Sequence, residues 1–281
     1  MDPKMTQLHF TKMHGLGNDF MVLDGINQSL VLTPDRIAAL GNRTLGVGFD
    51  QLLVIERPIS AEHDFKYRIF NADGSEVEQC GNGARCFARF IADQGLSDKK
   101  NLLVETAKGV IVLQLLDHGL VNVDMGAPVF EPAAIPFVAP EIALTYNVAV
   151  DGRTYLLSAL SMGNPHAVLL VEDVLTLDIQ PLGLALEHHP RFPQRVNVGF
   201  FTPIDAHTLQ LRVFERSVGE TAACGSGACA AAVAAIQRGL VASPVTVRMR
   251  GGELTISWQG VGHSVVMTGP AVKVFDGVIS V

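Results

Sequence analysis

The chain is written twice. Residues 70–96 laid over residues 214–240, a shift of 144 positions without gaps, agree at nine of 27 positions. The matches are Phe70/Phe214, Glu76/Glu220, Cys80/Cys224, Gly81/Gly225, Gly83/Gly227, Ala84/Ala228, Ala88/Ala232, Gly95/Gly239 and Leu96/Leu240. A duplication of this kind restricts the fold to two equivalent units. Other landmarks recur in the same order. Gly17-Asn18 precedes the apolar run 20–23, and Gly163-Asn164 precedes 167–171. Gln51 leads into 52–55, and Asn197 sits in a comparable stretch, 195–201. The alternating segment 65–70 has its counterpart in 209–214, and strand-like runs follow at 102–116 and 245–258. Between the halves, Pro128, Pro132, Pro136 and Pro140 recur every fourth residue, a spacing that forbids a helix and marks a linker or an edge.

These patterns give an α+β fold of two pseudo-symmetric halves, each with many short strands and one principal helix. Their expected bounds are 5–125 joined by a returning C-terminal strand, 270–281, and 126–269. In both halves the helix begins just after the cysteine, where Gly81-Asn82-Gly83 and Gly225-Ser226-Gly227 supply turn residues and an Asn or Ser suited to capping. The helix over 228–237 is almost all Ala with Val233 and Ile236, so protein must surround it. The first helix carries Arg85, Arg89 and Asp93 as one polar stripe at i, i+4, i+8. A central helix wrapped by a barrel-like sheet in each half is the simplest arrangement.

A cysteine at a helix start faces unpaired backbone N–H groups and the positive end of the helix dipole. Both favour thiolate, and such settings lower a thiol pKa from about 8.5 to as little as about 3.5–7.5. The same N–H groups bind carboxylates. Duplication supplies two such cysteines, Cys80 and Cys224, related by an approximate two-fold. With a substrate α-carbon between them, one thiolate takes the α-proton from one face while the opposite thiol delivers a proton to the other. That inverts a stereocentre without metal or pyridoxal phosphate.

Other readings explain less. Cys86 and Cys229 have no counterpart at the 144-residue shift and read as buried core thiols. Their spacings from Cys80 and Cys224 differ from the tight pairs of structural zinc sites and place neither pair on one helix face. A cysteine hydrolase using His14 or His166 would account for one reactive cysteine, not two in mirrored positions. Gly15-x-Gly17 is followed by Phe20 where a dinucleotide fingerprint needs glycine. A net charge of −7 without a Lys/Arg run argues against nucleic acid and anionic membranes as partners. Hydrophobic residues make up 48% of the chain and charged ones 17%, so much of it is interior, yet no run reaches the roughly 18–20 apolar residues that span a bilayer. Met1-Asp2-Pro3-Lys4-Met5 lacks the apolar run of a signal peptide, and the expectation is a cytoplasmic protein with free thiols.

The residues themselves resemble a known family. His14-Gly15-Leu16-Gly17-Asn18-Asp19-Phe20, Gly48-Phe49-Asp50-Gln51, Phe70-Asn71-Ala72-Asp73-Gly74-Ser75 and Cys80-Gly81-Asn82-Gly83-Ala84-Arg85-Cys86 stand in the first half. Gly163-Asn164-Pro165-His166, Glu215-Arg216 and Ala223-Cys224-Gly225-Ser226-Gly227 stand in the second. Together they are similar to the diaminopimelate epimerase family, in one order, over residues 5–281.

The resemblance implies an eight-stranded barrel-like sheet around a central helix in each half, with the last strand, near 273–281, returning to the first. It implies a homodimer, no cofactor, and interconversion of LL- and meso-2,6-diaminopimelate on the route to lysine and peptidoglycan. By motif position, Cys80 and Cys224 are the implied acid–base pair. Asn18, Gln51, Gly81, Asn82, Gly225 and Ser226 are implied contacts near the reacting centre. Asn71, Asn164, Asn197, Glu215 and Arg216 are implied to place the distal centre, and His166 and Glu215 to tune the cysteines. A distal carboxylate suits the Arg216 guanidinium, and a distal ammonium suits the oxygens of Glu215 and the Asn side chains. Phe275 stands where some members have Tyr, so this chain has no hydroxyl there. The alternative is a proline or hydroxyproline racemase-like enzyme, whose small cyclic substrate would not need Arg216 with Glu215.

Overall fold

The period-two pattern Phe65-Lys66-Tyr67-Arg68-Ile69 becomes a strand with Phe65, Tyr67 and Ile69 buried and Lys66 and Arg68 half-exposed. The computed structural model describes residues 7–77 and 80–280. The chain divides into two compact units, Met1–Val123 with Gly269–Val281 and Asp124–Thr268. The expected outer limits at Met5 and Val281 lie outside the described residues.

The first unit runs β1 (Gln7–Gly15), β2 (Asn18–Asp24), α1 (Pro34–Gly41), β3 (Gln51–Glu56), β4 (Phe65–Asn71), β5 (Glu76–Val77), α2 (Gly81–Asp93), β6 (Asn101–Thr106), β7 (Gly109–Leu115) and β8 (Leu120–Asp124). The second runs β9 (Tyr146–Val150), β10 (Arg153–Ser161), β11 (Pro165–Leu170), α3 (Gln180–Glu187), β12 (Asn197–Asp205), β13 (Thr208–Glu215), β14 (Gly219–Thr221), α4 (Gly225–Gln237), β15 (Val245–Met249), β16 (Gly252–Ser257) and β17 (Val266–Pro270). The last strand, β18 (Val272–Ser280), belongs to the first unit and pairs antiparallel with β1, Thr11 opposite Asp276.

Strand order in the first unit is β18-β1-β2-β3-β4-β6-β7-β8, and in the second β9-β10-β11-β12-β13-β15-β16-β17. Laid side by side, the two agree strand for strand, including which pairs are parallel: β2 with β3 and β11 with β12, then β4 with β6 and β13 with β15. The short strands β5 and β14 are hairpin returns on β4 and β13. Each unit thus has the eight main strands the family resemblance implies, among the described residues. The match also explains the returning strand. The first repeat lacks an equivalent of β9, and β18 fills that place.

The two principal helices start where the Cys-Gly segments put them, at Gly81 and Gly225. Helix α2 packs on β1, β2, β3, β7 and β18, and α4 on β10, β11, β12, β13, β15 and β16, so each has sheet on several sides. Ala228 and Ala230 to Ala235 (Val233 among them) are fully buried along α4. A surface made mostly of Ala lets strands approach closely, and Gly83 and Gly227 extend that closeness to the first turn. A methyl on Gly83 would meet Tyr67 Oη at 2.5 Å, and one on Gly227 would meet the Val213 side chain at 3.1 Å.

Two expectations change, and a third is narrowed. Asn82 and Ser226 do not cap their helices: the cap position belongs to Cys80 and Cys224, and the two polar residues come second in the helix. Arg85 does not share a solvated stripe with Arg89 and Asp93 but is wholly buried, donating to Pro270 O at 3.1 Å. The proline-spaced segment is an edge more than a linker. Val129 bridges to Ser161, and Ile135 and Phe137 are buried in the second unit's core beside Tyr146 and Phe192. A second, shorter helix in each unit also went unread. Helices α1 and α3 sit in the β2–β3 and β11–β12 crossovers, which parallel pairing requires to be long. Ile37 and Leu40 of α1 join Met21, Leu52 and Phe70, while Leu186 of α3 joins Leu169, Phe200 and Phe214.

Candidate active site

In the first unit the parallel pairing of β2 with β3 brings Asn18 and Gln51 to one end of the sheet, where the loop after β4 leads into α2. Asn18 Oδ1 accepts from Cys80 Sγ at 3.7 Å and from Asn82 Nδ2 at 3.3 Å. Gln51 faces Asn71 across β3 and β4 and donates to its Oδ1 at 3.0 Å, while Asn71 Nδ2 donates to Ser75 Oγ at 3.1 Å. Cys80, Asn18 and Asn82 therefore form one hydrogen-bonded group at the start of α2, and Gln51 with Asn71 a second. Cys80 is part-exposed.

The second unit builds a related group from equivalent strands. Asn164 leads into β11 and donates from Nδ2 to Ser226 Oγ at 3.3 Å, and Ser226 lies 3.7 Å from Cys224 Sγ. His166 Nε2 meets Asn164 Oδ1 at 2.9 Å. Asn197, opposite His166 on β12, donates to Pro165 O at 3.1 Å and accepts from the Arg216 backbone N–H at 3.0 Å. The Arg216 side chain is half-buried, with Nη1 donating to Gln194 O at 3.1 Å. Gly81 and Gly225 are the first residue of each helix.

The ionisation of Cys224 corrects the sequence expectation. Burial pushes the thiol well above its usual range, and the Glu215 carboxylate beside it pushes the same way. The Gly227 backbone N–H and the Ser226 hydroxyl favour thiolate but are outweighed. The sequence shows the helix start. It does not show that the end of β13 sets Glu215 against the sulfur. Thr221 donates its hydroxyl to Glu215 Oε1 and so holds that carboxylate in place.

Cys86 is fully buried and burial pushes its thiol up to about 12. Cys229 is equally inaccessible. Iodoacetamide on the native chain should modify neither, and Cys86→Ala or Cys229→Ala should each cost about 1 kcal/mol or somewhat more of stability with activity retained. Peptide mass mapping and a denaturant melt check both. Among the described residues no three His, Cys, Asp or Glu side chains come together to hold a metal ion.

His166 is buried beside Arg216, and burial first, then that cation, lowers its pKa to about 3. It is therefore a neutral ring that fixes Asn164. In the unfolded chain it titrates near 6.5. Below that pH the unfolded state holds more protons than the folded state, so the stability this site contributes is complete above pH 6.5 and is lost as pH falls toward 3. Phe20 occupies the equivalent place in the first unit, one strand from Gln51 as His166 is from Asn197. His166→Phe should flatten the dependence of stability on pH between about 6.5 and 4, by up to about 1.4 kcal/mol per pH unit. Chemical melts at several pH values measure the two slopes, and equal slopes would show that His166 titrates normally.

Sequence reasoning missed a charged cluster next to Asn18. Arg43 Nη2 reaches Asp19 at 2.7 Å and Asp50 at 2.6 Å, Lys12 also pairs with Asp19, and Asn18 Nδ2 donates to Asp50 Oδ2 at 2.9 Å. The Arg43 and Lys12 cations hold the Asp19 carboxyl well below the usual carboxylate range against the opposing effect of its burial. Asp19 and Asp50 lie inside the quoted motifs, which was the available signal.

A family model described as diaminopimelate epimerase matches residues 10–131 and 158–274. The diaminopimelate epimerase of Pseudomonas entomophila (strain L48) is 59% identical over 270 residues, covering 96% of this chain and 98% of its own length. That of Laribacter hongkongensis (strain HLHK9) is 59% identical over 276 residues, covering 98% and 99%. Among solved structures, a hydroxyproline epimerase from Agrobacterium vitis aligns over 100% of this chain and 94% of its own with a TM-score of 0.69 and 16% identity. That last likeness is one of fold alone.

Proposed function

The chain belongs to the diaminopimelate epimerase family, and on that premise we propose that it interconverts LL- and meso-2,6-diaminopimelate by moving a proton between Cys80 and Cys224. The observation that carries the reading is the repeated placement of a cysteine at the cap position of each principal helix, hydrogen-bonded into a cluster of Asn, Ser or Glu side chains. The helix starts bind the α-carboxylate through their backbone N–H groups and stabilise the charge that builds there as the α-proton leaves. One thiolate removes that proton and the thiol on the opposite face supplies another. Two thiols and two helix termini suffice for this chemistry without pyridoxal phosphate or a metal.

Cys224 rests as a thiol because Glu215 accepts its hydrogen bond and burial penalises the thiolate. Substrate changes that balance. An ammonium group near Glu215 draws the carboxylate away from the sulfur and adds positive charge, both of which favour thiolate. Asn18, Gln51, Gly81, Asn82, Gly225 and Ser226 surround the reacting centre in this scheme. Asn71, Asn164, Asn197, Glu215 and Arg216 hold the distal amino-acid head.

The reaction serves lysine and peptidoglycan precursor synthesis, a cytoplasmic role. Among the described residues no helix is long and apolar enough to cross a membrane. A homodimer is in keeping with β18, where Val272, Val274, Phe275 and Val278 are exposed on an outer strand. The test is LL-diaminopimelate in D2O with no added cofactor, followed by NMR. Solvent deuterium should enter at the α-carbon as the meso isomer accumulates. Absence of both, with proline racemised instead, would favour the smaller-substrate reading.

A further inference from the structure

Two residues of the quoted motifs, Asp50 and Arg85, have no place in the proposed chemistry, yet both are bonded to residues that do. Arg85 Nη2 donates to Asn82 Oδ1 at 3.0 Å, Asn82 Nδ2 donates to Asn18 Oδ1 at 3.3 Å, and Asn18 Nδ2 donates to Asp50 Oδ2 at 2.9 Å. The ends of this chain have fixed polarity, since a guanidinium only donates and an ionised carboxylate only accepts. Neither amide between them can turn over without setting donor against donor and acceptor against acceptor. Asp50 is itself held, by Arg43 Nη2 at 2.6 Å and by the Asp19 backbone N–H at 3.1 Å. All six residues belong to the first unit.

Asn18 Oδ1, in the middle of the chain, is also the atom that accepts from Cys80 Sγ at 3.7 Å. We propose that Asp50 and Arg85 are positioning residues that lock Asn18 with its carbonyl oxygen toward Cys80, so that this cysteine rests as thiol. An oxygen acceptor beside the sulfur favours S–H, whereas the turned-over amide would offer N–H and favour thiolate. The second unit is built differently. There the equivalent Asn164 directs its nitrogen to Ser226 and its oxygen to His166. The two pseudo-symmetric helix starts therefore meet amides of opposite polarity, and the difference is set by neighbours outside the substrate contacts. Tyr67 from β4 and Cys86 from α2 are titratable groups that interact with Cys80, with Arg85 next to Cys86. Substitution at Asp50 leaves the Tyr67 and Cys86 side chains themselves unchanged.

The consequence for turnover rests on the two-cysteine reading, but the lock is measurable without it. The full chain, free of substrate, is treated with iodoacetamide across a pH series, and modification of Cys80 and Cys224 is followed by peptide mass spectrometry. Asp50→Ala unlocks the amide and should move the Cys80 midpoint down by roughly half a pH unit or more, leaving Cys224 where it was. Asp50→Leu has nearly the native shape, offers Asn18 no acceptor and should shift Cys80 the same way, so it carries the test if Asp50→Ala folds poorly. Asp50→Glu keeps the carboxylate and should restore most of the wild-type profile. An unmoved Cys80 midpoint in variants with wild-type thermal melts would overturn the proposal, as would equal shifts at both cysteines. Neither result bears on whether Cys80 is needed for epimerisation, which Cys80→Ala decides separately.

Discussion

Cys80→Ala and Cys224→Ala should each abolish epimerisation while leaving the fold intact. General acid–base groups contribute about 10²- to 10⁴-fold individually, and here each thiol is the only group proposed for its face of the carbon. The expected loss in kcat is on the order of 10⁴ or more, to below detection. The two variants should differ in what they retain. A chain with one thiol can still remove and return the proton on its own side, so it exchanges that α-proton with solvent without inversion. One variant should slowly incorporate deuterium into the LL isomer and the other only at the D centre of the meso isomer. Either variant epimerising at near wild-type rate would sink the two-base scheme. Exchange of both diastereomers by the same variant would mean that a third group acts as base.

Mild oxidant tests the same pair, because the proposed two-base scheme requires both thiols to face one carbon. Sulfur atoms must approach to about 2 Å to bond, so loss of activity that reductant reverses should coincide with a Cys80–Cys224 linked peptide in a non-reducing digest.

How much of this was legible in the sequence varies with the physical cause. The duplication, the helix starts after each cysteine and the buried character of α4 followed from local pattern, because Cys-Gly-x-Gly and a helix of almost only Ala and other apolar residues leave few alternatives. Helices α1 and α3 were missed since each has only eight residues, too few for a periodic signal to stand out. Thr33 followed by Pro34 was the available mark, and Thr33 Oγ1 does accept from Arg36 N at 3.3 Å. Arg85 was misjudged because i, i+4 spacing identifies a shared face but not whether solvent or protein lies against it. The Lys12, Asp19, Arg43 and Asp50 cluster escaped because its members come from β1, β2 and the loop before β3, and only the sheet register joins them. The resting state of Cys224 escaped for the same reason. A helix terminus can be read from local sequence, whereas the burial and the carboxylate that outweigh it are tertiary.

Arg216→Ala should reduce kcat/KM for diaminopimelate by about 30-fold to several thousand-fold, which corresponds to the roughly 2–5 kcal/mol typical of truncating one partner of a desolvated charge pair. The residue sits at the end of β13 next to Glu215, half-buried as a whole, with its backbone N–H bonded to Asn197 Oδ1 at 3.0 Å. It is thus fixed from the main chain outward and close enough to depress the pKa of buried His166. A guanidinium so placed, with one nitrogen already on Gln194 O at 3.1 Å, has further donors to grip a distal carboxylate in a two-pronged way. Arg216→Lys should recover only part of the loss, because an ammonium cannot reproduce that geometry. Some of the loss should appear in kcat, since binding energy at the far end of the substrate helps place the reacting carbon between the thiols. Lysine, which lacks the distal carboxylate, should be a poor substrate for the wild-type chain and should lose little more on Arg216→Ala. Proline serves as the control for the small-substrate reading. Measuring kcat/KM for all three compounds with wild type and variant separates the cases: a loss confined to diaminopimelate assigns Arg216 to its distal carboxylate, equal losses on every substrate would make the residue structural, and efficient proline turnover by wild type would overturn the substrate assignment itself.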